Sequence, residues 1–250
     1  MRVCLVVPHY DHLDQFRQYL PRLLAFGIPL VVIDDASPAA VRDGLSTLLA
    51  ELSPDATLLQ HDRNQGKGGA VMSGLRAAMA AGFTHALQVD ADGQHDVAAI
   101  PEFIRAGTEN PDILVCGQPQ FADSIPGLRY YARYITLSLS WMETLSIEIR
   151  DALCGFRLYP LAAVIRILDN CTPGRRMAFD PEILVRAVWA GIPLQFITVS
   201  VKYPDGGTSH FHYLRDNLEI AWMHTRLITG MILRMPRLLL QRRAHALARP

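Results

Sequence analysis

His85-Ala86-Leu87-Gln88-Val89 runs directly into Asp90-Ala91-Asp92-Gly93-Gln94-His95-Asp96. The first five residues read as a short buried strand that ends in carboxylates. Asp90 and Asp92 are two apart, so in an extended segment both side chains point to the same side. Gly93 permits a sharp turn that brings the Gln94 amide oxygen near the pair. Two crowded carboxylates repel unless positive charge sits between them, and a hard divalent cation with positions left open for phosphate oxygens suits such a site. The two aspartates alone are also compatible with an acidic turn at a sheet edge.

Toward the N-terminus, Val3-Cys4-Leu5-Val6-Val7 is a continuous apolar run stopped by Pro8, the pattern of a buried parallel strand. A helix with apolar Leu13, Phe16, Leu20, Leu23 and Leu24 follows. Pro29-Leu30-Val31-Val32-Ile33 is a second buried strand, ending in Asp34-Asp35. The pattern then predicts a helix from Ala40 to Leu52, a strand from Ala56 to Leu59, a polar loop from His61 to Lys67 and a helix from Gly68 to Ala81. Beyond Asp96 come a helix from Ala98 to Ala106 and a strand at Asp112-Ile113-Leu114-Val115-Cys116. Strands alternating with helices of this length make an α/β chain with a mostly parallel sheet. Such sheets bind ligands beyond the carboxyl ends of their strands. Pro8-His9-Tyr10-Asp11, Asp34-Asp35 and Asp90-Ala91-Asp92 converge on that rim. Tyr10 is suited to stacking on a base; Asp34 or Asp35 to accepting hydrogen bonds from a base or ribose, or to capping the next helix.

Asn64-Gln65-Gly66-Lys67-Gly68-Gly69-Ala70 opens a helix with glycines, but neither Walker A nor GxGxxG spacing is present. Its glycines serve either an anion at the helix start, with Lys67 adding charge, or close helix packing. Arg129 and Arg133 stand one helical turn apart and either bind a phosphate or are solvated. Asp151 to Tyr159 reads as a turn into a strand. Met177-Ala178-Phe179-Asp180-Pro181-Glu182 starts a helix, with Asp180 placed as its N-cap and Pro181 at its first position. Pro193 to Tyr203 is a final β-rich run, followed by Pro204-Asp205-Gly206-Gly207-Thr208-Ser209-His210-Phe211, a loop of the kind that closes over ligands.

With 250 residues, half of them hydrophobic, the chain suits one domain with an appendage. A formal net charge of zero argues against a nucleic-acid partner. Cys4, Cys116, Cys154 and Cys171 are scattered, which predicts reduced thiols in a cytosolic protein rather than a zinc site. The N-terminus shows no signal-peptide pattern. From His224 onward there are six arginines and no acidic residue or lysine. The apolar stretches between them are too short to span about 30 Å of hydrocarbon. They fit a basic amphipathic helix on an anionic membrane surface, or one packed on the domain or on another copy. The expected division is therefore a domain over residues 1–216 and a C-terminal segment over 217–250.

These stretches together resemble the family-2 glycosyltransferases, in the branch of dolichol-phosphate mannosyltransferase and related polyprenyl-phosphate sugar synthases. The resemblance runs from Val3 to about Asp216. It is carried by Val32-Ile33-Asp34-Asp35-Ala36-Ser37-Pro38, Asn64-Gln65-Gly66-Lys67-Gly68, Asp90-Ala91-Asp92-Gly93-Gln94-His95, Cys154-Gly155-Phe156-Arg157, Phe179-Asp180-Pro181-Glu182 and Asp205-Gly206-Gly207-Thr208-Ser209-His210-Phe211. It implies a GT-A fold, a GDP- or UDP-sugar donor, and Mg²⁺ or Mn²⁺ held by Asp90, Asp92 and Gln94. Pro8, Tyr10, Asp11, Ile33 and Asp35 would line the nucleoside end of the donor site. Lys67, Asp90, Ala91, Arg129, Arg133, Arg157, Lys202, Ser209 and His210 would complete it toward the diphosphate.

The resemblance further implies an inverting transfer at the cytoplasmic face of a membrane, to a lipid or polyprenyl-phosphate acceptor. Asp92, Asp180 and Glu182 are the expected catalytic residues, the last two as base candidates should the acceptor be a hydroxyl. Asp11-His12, Val97 and Gln118-Pro119 depart from the family's usual residues at those points. A transferase acting on a hydroxyl in glycan or glycolipid assembly is the first alternative. A sugar nucleotidylyltransferase would want a glycine-rich, arginine-bearing loop after the first strand, where Pro8-His9-Tyr10-Asp11 stands. A catalytically idle binding protein would not need Asp90, Asp92 and Gln94.

Overall fold

The computed structural model describes residues 1–121, 127–201 and 213–247, with side chains over 1–120, 133–201 and 215–240. The first half alternates strand and helix: β1 (Val3–His9), α1 (Leu13–Leu24), β2 (Leu30–Asp34), α2 (Ala39–Leu52), β3 (Thr57–Gln60), α3 (Lys67–Ala80) and β4 (His85–Gln88). A 3-10 turn (Val97–Ala99) leads into α4 (Ile100–Glu109) and β5 (Leu114–Phe121). The second half holds α5 (Gly127–Thr144), β6 (Arg157–Pro160), α6 (Leu161–Asn170), α7 (Phe179–Ala190), β7 (Leu194–Val201) and α8 (Tyr213–Leu247).

The strands form one sheet in the order β3-β2-β1-β4-β6-β5-β7. β1 pairs in parallel with β2 and β4, and β2 with β3. β6 runs antiparallel to both β4 and β5, while β5 and β7 are parallel. The mostly parallel sheet follows from the alternation of elements; the reversed β6 is set by register, with Gln88 opposite Arg157. Period-2 geometry divides the strand side chains between two faces. Cys4, Val6, Val31 and Ile33 enter a core with α3, α6, α7 and α8, and Leu5, Val7, Leu30 and Val32 enter one with α1, α2 and α4. Burial on both faces explains why β1 and β2 read as unbroken apolar runs.

α3 lies unusually close to the sheet. A Cβ on Gly74 would stand 2.5 Å from Val6 Cγ1 and 2.6 Å from Ile33 Cδ1. α8 crosses residue 216 without a break and buries Met223, Leu227, Met231 and Leu238 in the first core. Among the described residues, no helix is long and apolar enough to cross a membrane.

Candidate functional site

Because β1, β2 and β4 are parallel, their carboxyl ends share one rim, and the three polar clusters lie on it. The backbone at this rim is specialised. Asp11 and Ala36 have φ of 55° and 60°, and Gly93 has 71°. At Gly93 the left-handed turn and a Tyr19 ring atom 3.2 Å from where a Cβ would sit both favour glycine. The Tyr19 hydroxyl then donates to the His95 carbonyl at 3.0 Å and clamps the turn from α1.

Asp90 lies where β4 ends, and Lys67, the first residue of α3, reaches it. Lys67 Nζ donates to Asp90 Oδ2 at 2.8 Å and lies 3.2 Å from Asp180 Oδ2 at the start of α7. One ammonium therefore joins carboxylates from β4 and α7. Burial opposes ionisation of Asp90, but Lys67 outweighs it and holds the carboxyl below its usual range. Asp92 is raised instead, by burial and by the charge of Asp90, although the Gln94 N–H donates to its Oδ1 at 3.0 Å. Lys67 is held charged against burial, first by Asp180 and then by Asp90. Gly155 leaves room for the cluster: a Cβ there would stand 2.5 Å from Lys67 Nζ and 3.2 Å from Asp90 Oδ2. Asp90 Oδ1 and Asp180 Oδ1 are buried without hydrogen-bond partners.

Arg157 is fully buried beneath this cluster. It donates from Nη1 to the Asp180 carbonyl at 2.7 Å and from Nη2 to the Ala152 carbonyl at 2.9 Å. It thus positions Asp180 from inside the protein. Asp180 sits within the first turn of α7, whose N-cap is Ala178 with no side-chain cap, so the N-cap alternative for Asp180 is set aside. Glu182, also fully buried, has both oxygens engaged: Oε1 by Arg186, and Oε2 by Arg226 at 3.0 Å and the Gly174 N–H at 2.9 Å. Of the two base candidates, Asp180 is the one joined to Asp90 through Lys67.

At the other end of the rim, Asp34 and Asp35 turn into the protein. His9 Nδ1 is 3.2 Å from Asp34 Oδ1, and the Ser37 N–H donates to Asp34 Oδ2 at 3.2 Å. Burial works against ionisation of Asp34, but these bonds outweigh it and lower its pKa. Asp35 accepts from the N–H groups of Gln65 and Gly66 at 2.8 and 2.7 Å and faces His61 Nδ1 at 2.7 Å. It ties β2 to the loop that delivers Lys67. α2 is capped by neither aspartate, since its N-cap is Pro38.

Pro8 and Tyr10 are half-buried and Asp11 exposed at the end of β1, while Ile33 is fully buried. The glycines of the α3 start serve close packing. Cβ atoms on Gly68 and Gly69 would stand 2.3 Å from Phe179 Cβ and 2.6 Å from Gln65 Cβ, and the Gly69 N–H donates to the Arg175 carbonyl at 2.8 Å. Arg133 Nε donates to Asp151 Oδ2, and Asp151 Oδ1 accepts from the N–H groups of Leu153 and Cys154. The Arg129 side chain and Lys202, Ser209 and His210 lie outside the described residues. Among the described residues no group of three His, Cys, Asp or Glu side chains forms a metal site by itself.

The sequence reading missed the Lys67 bridge, because its partners lie 23 and 113 positions away. It also missed a cavity of about 430 Å³ outside the α3–α7 junction, lined by Arg63, Arg175, Arg176, Arg215 and Arg226. The pair Arg175-Arg176 and the single Arg215 carried no motif that would have flagged them.

The family model for glycosyl transferase family 2 matches residues 4–168. The chain belongs to the family-2 glycosyltransferases. It is a glycosyltransferase of GT-A fold, and its relatives fall in the branch that the motifs resemble. It is 25% identical over 213 residues to an undecaprenyl-phosphate mannosyltransferase of Micrococcus luteus, covering 79% of this chain and 84% of that one. It is 31% identical over 193 residues to a dolichyl-phosphate beta-glucosyltransferase of Dictyostelium discoideum, covering 73% of this chain and 58% of that longer one. In three dimensions it is similar to glucosyl-3-phosphoglycerate synthase from Mycobacterium tuberculosis, solved with Mn²⁺, UDP and phosphoglyceric acid. That likeness has a TM-score of 0.61 at 13% identity and covers 92% of this chain and 77% of that one.

Proposed function

We propose that this glycosyltransferase moves a sugar, with inversion, from a GDP- or UDP-sugar to the phosphate of a polyprenyl-type lipid, using Mg²⁺ or Mn²⁺. The observation that carries the reading is the carboxylate pair Asp90 and Asp92 at the strand rim, with Asp90 Oδ1 buried and unpartnered. A cation would take Asp90, Asp92 and Gln94 and leave its other positions to diphosphate oxygens, as a site with only two carboxylates requires. When bound, it supplies countercharge to the departing nucleoside diphosphate. The chain's own residues do the rest. Tyr19 and Gly93 hold the turn that presents Asp92. Lys67 adds fixed positive charge beside the diphosphate position, and Pro8, Tyr10 and Asp11 form the nucleoside end, backed by the buried Ile33 and by Asp35, which fixes the adjoining loop. Arg129, Arg133, Lys202, Ser209 and His210 belong to the diphosphate end in this reading.

The names of the relatives support a lipid-phosphate acceptor, which is already anionic and attacks the anomeric carbon without a general base. A hydroxyl acceptor is the second reading, favoured by Asp180 Oδ1, which accepts no hydrogen bond, with Arg157 Nη1 3.9 Å away, and would take the hydroxyl proton. In this reading α8, which packs its buried side on the domain, rests its outer side on the cytoplasmic face of a membrane.

The test is transfer from a panel of UDP- and GDP-sugars with Mn²⁺ into total membrane lipid, beside Asp92→Ala. Metal-dependent labelling of lipid, reduced at least a hundredfold by the substitution, is expected. Labelling that survives chelation and Asp92→Ala overturns the metal assignment. Donor turnover that labels only a soluble hydroxyl compound moves the assignment to the second reading.

A further inference from the structure

The arginine-lined cavity lies beside the carboxylate cluster and is not part of it. Gln65 and Ala178 belong to its wall, each two positions from Lys67 and Asp180. Its described lining is mostly basic. Arg176 and Arg215 share Glu219, at 4.0 and 3.4 Å, and Arg226 shares the buried Glu182 with Arg186. Arg175 donates to the neutral Gln65 Oε1 at 2.8 Å. Among the described residues neither Arg63 nor Arg175 forms an ion pair. Among the described residues the cavity wall thus carries five guanidiniums and one carboxylate, Glu219, with the buried Glu182 behind Arg226. Guanidinium forks match phosphate oxygens, and a phosphomonoester offers them three non-bridging oxygens and a second negative charge, where a phosphodiester offers two oxygens and one charge.

A second, independent feature begins at the same place. Trp222, 63% exposed, lines the cavity and also starts an apolar stripe along α8. Leu218, Trp222, Ile232, Leu233, Leu239 and Leu240 are all exposed and fall on one side of the helix, half a turn from the buried Met223, Leu227, Met231 and Leu238. From Leu218 to Leu240 this face is about 33 Å long at helical rise. A soluble helix ordinarily sets polar residues opposite its buried side; the outer face of α8 carries these six apolar residues, interrupted by the exposed Thr225 and Thr229.

We propose that the cavity and the stripe are one site for an amphiphilic phosphomonoester. Its phosphate sits among Arg63, Arg175, Arg215 and Arg226, and its hydrocarbon chain lies along the outer face of α8 in the membrane surface. The site rests on the lipid-acceptor reading above and deepens it. It places the headgroup of the lipid against the α3–α7 junction, on the side of Lys67 and Asp180, and gives α8 the task of aligning the chain with the membrane.

The test is calorimetric titration of the full chain with farnesyl phosphate, inorganic phosphate and farnesol, without donor or metal. Farnesyl phosphate is expected to bind at least tenfold more tightly than either fragment. The exposed-site variant Arg63→Gln/Arg175→Gln should weaken it at least tenfold. Leu218→Ser/Trp222→Ser should weaken it at least threefold and leave inorganic phosphate unchanged. Unaltered farnesyl phosphate binding in the arginine variant overturns the proposal. So does equal affinity for inorganic phosphate, which marks a free-anion site, or equal competition by phosphatidylglycerol vesicles, which marks general headgroup attraction. Unchanged binding in the stripe variant overturns the role of α8. The transferase reading fails separately: binding that obeys these expectations in a chain that transfers no sugar to lipid sinks that reading and keeps the site.

Discussion

Replacing Lys67 by Met removes the only ammonium that joins Asp90 to Asp180 among the described residues. The three side chains are 22, 17 and 7% exposed, so solvent replaces the lost charge poorly. At 2.8 and 3.2 Å and an effective dielectric of about 20, each contact has a gross Coulomb energy of about 5–6 kcal/mol. Desolvation of the ions offsets most of that. What the substitution costs is the carboxylate charge left uncompensated, about 3 kcal/mol at the lower end for a partly exposed site. At about 2–4 °C per kcal/mol for a chain of this size, the unfolding midpoint should fall by about 6–12 °C. The assay is thermal unfolding at pH 7.5 in chelator. Adding Asp180→Asn to Lys67→Met should recover part of the loss, because one of the stranded charges is gone. The pH dependence has a definite sign. Asp90 is held below its ordinary pKa in the folded state, so its contribution is complete above the unfolded value and is lost as pH falls. The gap between the two proteins should therefore narrow as the pH drops below about 4. A Lys67→Met protein that melts within about 2 °C of the parent, or that Asp180→Asn destabilises further, refutes this account of the bridge.

Gly93→Ala should lower stability by about 1–2 kcal/mol, through a left-handed φ of 71° and contact with Tyr19, and impair metal-dependent transfer as the Asp92 turn shifts. Unchanged melting and activity would show that the turn tolerates a side chain. His85 is buried, its Nε2–H donating to the Pro111 carbonyl at 2.9 Å, and burial lowers its pKa. The unfolded chain therefore takes up a proton first as the pH falls. Stability from this site is complete above about 6.5 and declines below it. Between pH 7 and 5.5 the midpoint of His85→Gln should fall less than that of the parent; parallel slopes would remove His85 from the explanation.

Much of the fold was legible because it rests on local period and punctuation. The runs at Val3–Val7 and Pro29–Ile33, the spacing of Phe16, Leu20 and Leu23, and the turn at Gly93 each state their element within a few residues. The common rim of β1, β2 and β4 follows once those elements alternate. The antiparallel β6 was not legible, because pairing partners are chosen by tertiary packing and Arg157 is distant from Gln88 in sequence. The glycines after Gln65 left two readings open, and contact with Phe179, Arg175 and Arg176 decided for close packing. Asp180 looked like a helix cap in sequence; Lys67 and Arg157 draw it into the cluster instead.

The sequence by itself thus determined the family, the layered α/β architecture and the carboxylates at the strand rim, because hydrophobic period and short motifs are properties of neighbouring residues. Only the tertiary structure decided which charge meets which. Lys67 between Asp90 and Asp180, Glu182 engaged by Arg186 and Arg226, and the arginine cavity at the head of α8 are assembled from segments far apart in the chain. Their electrostatics depend on separations of a few ångströms and on burial, and neither is written in the order of residues.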